Sequence, residues 1–588
     1  MEFCKTILLE NITYKLCNGN VERIDNDFYN ILLEYKKENK KIKINSVSKN
    51  ILIYPRILTY TAVKVPRTDY YALKPGKHEN LHTYYKPQMS KYRGAYGSVD
   101  IFQTEEVAIK NFNKDIIPPS DFILELTIYK FLEHNCIANL YSYNLEKCNI
   151  EIELADEVTT LDTLLKRDYK IRPKNPEEKT SEEIGFFYKN DNNIIWGIGS
   201  LIQCIQQINN FGIIHSDIKH ANLIAVNNEG NIGIKFIDWG LANIDHSKEQ
   251  KYVKNILKYT VGYRPPECNL IHFEKRNTYN YKSDIFAIGI TLLYSYYAAD
   301  LFQNYLELVD LGHKDFNVLY MCFLYDFFCT NSFDYLQKIN KRLDIKDSIN
   351  NVLIQVENID GNHKIIYNKL ISGGTVFNLP KIPETCAELL CHMLDFNPET
   401  RWDHQQILNY MYEKGWISED VKDKPLKQWK YNNIYKNIDI NHIWKEKNID
   451  RKQAFEKIIS SLTYDDINNV SAICLAFELL DEYIINSGDV KNIDEIIDEI
   501  IKILVFISNA IHQNKDGLGI NILKRNYNIK KLKKTFNYII DFFKGDFLRF
   551  TFYSYLLNTD YNFEKFLSGE KSYNINMIDC LDNYYKYK

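Results

Sequence analysis

The chain has 588 residues, 45% of them hydrophobic and 26% charged, with only 14 prolines and 23 glycines, which allows several packed domains and excludes a disordered chain. A formal net charge of −4 supplies no basic field for a phosphate backbone or an acidic lipid surface, so no nucleic acid and no membrane partner is expected. The 12 cysteines form no C-x-x-C pair and the charged start MEFCKTILLE lacks the apolar run of a signal peptide, so reduced thiols in an intracellular, cytoplasmic protein are expected.

Residues 1–85 hold short β-like runs such as ILIYPRILTYTAVKV (51–65) but no chemical motif, and are read as an N-terminal extension. The basic runs KKENKKIKI (36–44) and IKKLKK (529–534) interleave apolar residues and read as solvated faces. KYRGAYGSVDIFQTEEVAIKNF (91–112) predicts strands around a glycine turn, with QTEE as the next connection and VAIK alternating inward and outward. A helix follows over 121–133, where Phe122, Leu126 and Tyr129 recur at helical spacing, and then a strand at NIEIEL (149–154). The polar, proline-bearing stretch 166–183 predicts a surface loop, and IIWGIGSLIQCIQQINNFGI (194–213) a long apolar helix. Ile285–Ala299 carries no charge but is shorter than the roughly 18 to 20 residues of a membrane span, so it is read as a buried core helix. Beyond Gly415 helical patterns dominate: Ile493, Ile496, Ile497, Ile500, Ile501 and Leu504 keep one face, implying an all-helical domain over 421–588.

HSDIKHANL (215–223) sets a carboxylate, an ammonium and an amide at close spacing. Phosphoryl transfer to a hydroxyl uses such groups, because the protein contributes mainly position and electrostatics. Asp217 can orient the hydroxyl and accept its proton, Lys219 can sit on the moving phosphoryl, and Asn222 can ligate a metal. The same residues can also form an ordinary Asx-capped turn. Asp238, in IDWG, follows an apolar strand and precedes a glycine that lets the chain turn, which suits a hard-cation ligand.

Together these motifs resemble the protein kinase family, whose signature set occurs in order over about 325 residues. The resemblance implies an α+β, bilobal fold with a small β-rich lobe and a larger helical lobe, assigned to residues 86–415. It implies ATP and Mg²⁺ as cofactors, with Asp217 and Lys219 catalytic and Asn222 and Asp238 as metal ligands. YRGAYGSV is similar to the glycine-rich loop, with Gly94, Gly97 and Val99 kept and Tyr92 in place of the first glycine. The implied nucleotide site adds Ala108 and Lys110 from VAIK, Glu125 as the partner of Lys110, and hinge backbone at Ala155, Asp156 and Glu157. TVGYRPPE (260–267) resembles the end of the activation segment, Asp284 the helix aspartate that supports the catalytic loop, and Glu267 is implied to pair with Arg401. An implied stack joins His215, Trp239, Tyr129 and Leu140.

A lysine two residues after Asp217 resembles serine/threonine kinases, which implies a protein substrate with a Ser or Thr acceptor. Ser216 stands where many kinases switched by loop phosphorylation carry arginine, so weak dependence on phosphorylation between Asn243 and Tyr259 is expected. Two alternatives stay open: a pseudokinase scaffold without turnover, and a small-molecule phosphotransferase of the aminoglycoside type. SAICLAFELLDEYIIN (471–486) and the helices after it resemble a cyclin box, with Asn509 and Phe536 where a cyclin offers a lysine and a glutamate, implying a tail that regulates the kinase within one chain. The composition resembles that of kinases of large DNA viruses, which would place the protein in a host cell or virion.

Overall fold

The computed structural model describes residues 5–9, 12–17, 20–23, 42–45, 50–53, 90–94, 97–102, 107–113, 118–132, 136–154, 160–171, 186–228, 231–244, 251–253, 259–268, 277–308, 316–328, 362–373, 381–422, 439–460, 467–488, 493–512 and 529–547. The chain divides into two units, Met1–Phe122 with Ala138–Glu157 and Ile123–Ile137 with Val158–Lys588. The first is built on sheets and the second mainly on helices, the two components of the expected bilobal fold.

In the sheet unit, β1 (Lys5–Leu9), β2 (Ile12–Cys17) and β3 (Asn20–Arg23) form an antiparallel sheet, and β4 (Ile42–Asn45) pairs with β5 (Asn50–Ile53). Of the predicted run 51–65, residues 54–65 lie outside the described residues. A five-stranded antiparallel sheet follows, made of β6 (Ser90–Gly94), β7 (Gly97–Phe102), β8 (Val107–Phe112), β9 (Leu140–Asn144) and β10 (Asn149–Glu153) in the order β6-β7-β8-β10-β9. Val107 and Ile109 on β8 alternate inward and pack with Tyr141 of β9, as the period of two requires.

The helical unit takes up the chain within α1 (Ser120–Phe131) and continues with α2 (Leu161–Ile171) and α3 (Asp191–Asn210). Helix α2 overturns the start of the predicted loop 166–183: Lys166–Ile171 are helical. The polar surface of this segment misled the reading, because its helicity rests on the buried face Leu161, Leu164 and Leu165 and on a Lys166–Asp162 pair one turn apart. Short strands β11 (Ile213–Ile214), β12 (Leu223–Asn228), β13 (Asn231–Phe236) and β14 (Asn243–Ile244) carry the loop region, with β11 paired to β14 and β12 to β13.

Helix α4 (Tyr281–Tyr297) begins in a capping box of Asn280 and Ser283, and Ser283–Tyr297 are all buried, so the uncharged stretch is a core helix. Its neighbour α3 approaches closely at Gly197, where a Cβ would stand 3.1 Å from Leu292 Cδ2. Among the described residues no single helix is long and apolar enough to cross a membrane. Further helices are α5 (Leu301–Leu308), α6 (Phe316–Phe328), α7 (Asn362–Ser372), α8 (Glu384–Met393), α9 (His404–Glu413) and α10 (Glu419–Lys422).

The C-terminal segment is helical throughout its described residues: α11 (Ile440–Glu446), α12 (Arg451–Ser460), α13 (Ile467–Asn486), α14 (Ile493–Ile511) and α15 (Ile529–Phe543). On α14 the buried side chains include Ile497, Ile500, Ile501 and Leu504, four of the six predicted for that face. Asp481 on α13 accepts three hydrogen bonds from two neighbours, from Arg451 Nε at 3.0 Å, Arg451 Nη2 at 2.8 Å and Trp444 Nε1 at 2.8 Å. A buried charge satisfied in this way ties α11, α12 and α13 together.

One expectation about the thiols is corrected. Cys136 and Cys204 form a disulfide with their Cα atoms 5.4 Å apart, joining the chain after α1 to α3. A sequence separation of 68 hid the pairing from the sequence; beside it, the Cys136 carbonyl accepts from the Phe236 N–H of β13 at 2.8 Å.

Candidate active site

The residues of HSDIKHANL occupy the loop between β11 and β12, and their geometry is set from below by α4. Asp284 Oδ2 accepts the His215 N–H at 2.8 Å and Asp284 Oδ1 the Ser216 N–H at 3.0 Å. Burial raises the Asp284 carboxyl above the usual range, and these backbone donors pull it part of the way back. The Asp217 N–H donates to His215 Nδ1, so Nε2 carries the ring proton toward the Ile237 carbonyl. Burial lowers the pKa of His215, keeping it neutral, as this pattern requires.

Asp217 is 6% exposed and both of its carboxylate oxygens are held. Oδ2 accepts from Lys219 Nζ at 2.8 Å and Asn222 Nδ2 at 2.9 Å; Oδ1 accepts from the Thr260 N–H at 2.9 Å and its hydroxyl at 2.7 Å. Lys219 Nζ also donates to Thr260 Oγ1 at 2.7 Å. The loop therefore presents one carboxylate in a fixed orientation with an ammonium beside it, the arrangement that general-base assistance and charge stabilisation need.

Asn222 donates through Nδ2 to the Asp217 carbonyl as well, so its Oδ1 is the oxygen it could offer to a cation. Asp238 follows β13 with a left-handed backbone, φ +64°, and its Oδ1 accepts from the Gly240 N–H at 3.4 Å. A Cβ on Gly240 would stand 3.1 Å from Glu125 Oε1 and 3.4 Å from Asp238 Oδ1, so a side chain here would crowd the Glu125 carboxylate. Among the described residues no cluster of three or more His, Cys, Asp or Glu side chains could hold a metal ion. An oxygen-ligand pair such as Asn222 and Asp238 fits a small hard cation that takes its remaining ligands from phosphate and water.

Apart from Glu125, the residues expected on the nucleotide side lie in the sheet unit. Tyr92, Val99 and Lys110 stand directly across from one another on β6, β7 and β8, Gly94 faces Gly97 at the hairpin end, and Ala108 lies on β8 two residues before Lys110. Lys110 Nζ lies 5.2 Å from the Phe112 ring centroid. Ala155, Asp156 and Glu157 lie outside the described residues. The structure thus brings together Glu125, Asp217, Lys219, Asn222 and Asp238 in one unit, and Tyr92, Gly94, Gly97, Val99, Ala108 and Lys110 in the other.

Three members of the implied stack meet: His215 and Trp239 ring centroids are 4.6 Å apart, and Trp239 and Tyr129 6.5 Å edge to face. Leu140 belongs to the sheet unit, on β9. Glu267 and Arg401 form a bidentate pair at 2.7 and 3.0 Å, with Arg401 0% exposed.

Two participants went unread. Thr260, in TVGYRPPE, binds Asp217 across a separation of 43 residues that leaves no local signal in the sequence. His220, inside the opening motif, is buried between the Tyr263 hydroxyl at 2.9 Å and Ser295 Oγ at 2.8 Å. Ser295 Oγ donates to the Thr291 carbonyl, so it accepts from His220 Nε2–H, and His220 Nδ1 accepts the Tyr263 proton. Burial pulls the His220 pKa down to about 4, which keeps this relay neutral.

Residues 93–413, more than half of the chain, match the family model described as protein kinase domain. Similar proteins include the dual specificity protein kinase TTK of Mus musculus, 27% identical over 187 residues that make up 31% of this chain and 19% of that protein. The CTD kinase subunit alpha of Schizosaccharomyces pombe is 24% identical over 245 residues, 39% of this chain and 36% of that protein. The mitogen-activated protein kinase 4 of Oryza sativa subsp. japonica is 24% identical over 213 residues, 36% and 53% of the two chains. The matched stretches thus span less than two thirds of each of these relatives. With the catalytic loop, its supporting aspartate and the Glu267–Arg401 pair in place, the chain belongs to the protein kinase family.

Proposed function

We propose that this kinase transfers the γ-phosphoryl group of Mg²⁺-ATP to a Ser or Thr hydroxyl of a protein. The observation that carries this reading is the Asp217–Lys219–Thr260 cluster, in which a carboxylate, an ammonium and a hydroxyl lie within 2.8 Å of one another. Asp217 orients the acceptor hydroxyl and takes its proton; Lys219, two residues on, balances the charge that builds on the transferred group. Asn222 Oδ1 and the Asp238 carboxylate would hold the cation, Lys110 would hold the nucleotide phosphates, and residues 155–157 would provide the hinge. Bound Mg²⁺-ATP would supply the phosphoryl group and neutralise its charge. The testing experiment is transfer of radiolabel from ATP to generic protein substrates, with Asp217→Asn and Lys110→Met as controls. Label on serine or threonine from the wild type alone supports the reading; equal label with the Asp217→Asn control would favour a scaffold.

Activation without loop phosphorylation belongs to the same proposal. Ser216 Oγ accepts from Asn243 Nδ2 at 2.9 Å, so a neutral hydrogen bond joins the catalytic loop to β14 where an arginine would await a phosphate. Phosphatase treatment should leave the rate within about twofold, a change of only ~0.4 kcal/mol in the barrier; a tenfold loss in the same assay would contradict this.

The division into an extension (1–85), a kinase domain (86–415) and a cyclin-like tail (421–588) acting on its own kinase domain is likewise proposed, in a protein of viral type working inside the cell. What supports the tail's role is one close approach. After α15 the chain turns at Gly545, φ +74°, where a Cβ would stand 3.1 Å from Leu126 Cδ2, beside Glu125 on α1. Gly545→Val in the full chain should therefore displace α1 and lower protein phosphorylation roughly 3- to 30-fold. An unchanged rate would remove the regulatory role.

A further inference from the structure

Tyr259 precedes Thr260 and has a left-handed backbone, φ +63°, that side-chain-bearing residues rarely adopt. The surroundings hold it there through every polar group it has. Its N–H donates to the Ser216 carbonyl at 2.8 Å, and its own carbonyl accepts from Arg264 Nη2 at 2.8 Å and Nε at 3.2 Å. Its ring is 2% exposed, and its hydroxyl donates to Asp284 Oδ1 at 2.9 Å. That carboxylate also holds the backbone of His215 and Ser216, while the next residue, Thr260, donates twice to Asp217. Tyr259 thus links the anchor beneath the catalytic loop to the group touching the catalytic carboxylate. Burial raises its pKa well above the ordinary tyrosine value, so the phenol stays a donor.

We propose that Tyr259 is a positioning residue whose hydrogen bond to Asp284 latches the acceptor-side loop in its transfer-competent form, in place of a phosphate. The proposal rests on the kinase reading above. Packing alone does not require the hydroxyl, since a phenylalanine ring fills the same space. What the hydroxyl adds is a directional tie that offsets the backbone strain at this position and keeps Thr260 on Asp217.

Tyr259→Phe in the full chain tests it. The expected result is a kcat for protein phosphorylation about 10- to 100-fold lower, with the KM for ATP within about twofold of wild type. Amide hydrogen exchange at Thr260 and Val261 should quicken, while exchange in the core of α4 stays unchanged. A kcat within twofold of wild type, or unchanged exchange at Thr260, would overturn the latch. So would a general loss of protection that includes α4, which would mark a merely structural role. If wild type and Asp217→Asn transfer phosphate equally, the activity reading fails, and the exchange measurement alone then decides the latch.

Discussion

Asp217→Asn is expected to lower phosphoryl transfer to protein by about 10²- to 10⁴-fold, the usual worth of a positioned general base. The substitution nearly preserves shape, and an amide oxygen at the Oδ1 position still accepts both Thr260 donors. At the Oδ2 position it places an NH₂ against Lys219 Nζ and Asn222 Nδ2, so three donors face one another and no group remains to take the acceptor proton. The loss should fall on kcat, with nucleotide binding measured by fluorescence titration close to wild type. A variant retaining a tenth of the wild-type rate would show that Asp217 is not the base.

The second large effect is on stability. Glu267→Ala should destabilise the protein by about 3–5 kcal/mol, because it leaves the Arg401 guanidinium buried without its carboxylate. Arg401 keeps its bonds to the carbonyls of Asp395 and Lys282 and its place over the Phe286 ring, so the group is held in the core and cannot turn out to solvent. Chemical denaturation measures the loss, and Glu267→Gln, which preserves the shape and one acceptor, should lose less. A change below about 1 kcal/mol for the alanine variant would put the pair in the class of surface bridges.

The catalytic loop was legible because its chemistry is local. Asp217, Lys219 and Asn222 lie within six consecutive residues, and the bonds from Lys219 and Asn222 to the Asp217 carboxylate close within that stretch. Strands β6 to β8 and helices α3, α4 and α14 were legible for a related reason: their apolar residues recur at periods of two or 3.6, and each period follows from backbone geometry within one element. Helix α2 shows the limit of that argument, since a polar surface masked a three-leucine buried face.

What the sequence determined by itself is therefore the inventory: the family, the polar groups of the loop and the elements that carry them. Tertiary structure alone decided how they are fastened. The Thr260–Asp217 bonds, the Tyr259–Asp284 bond, the His220–Ser295 contact and the Cys136–Cys204 disulfide join positions 43, 25, 75 and 68 residues apart. The Glu267–Arg401 pair, 134 residues apart, was foreseen only through the family likeness. A side-chain hydrogen bond across such a distance leaves no period in the chain, because it depends on where two elements meet in space and not on the spacing within either.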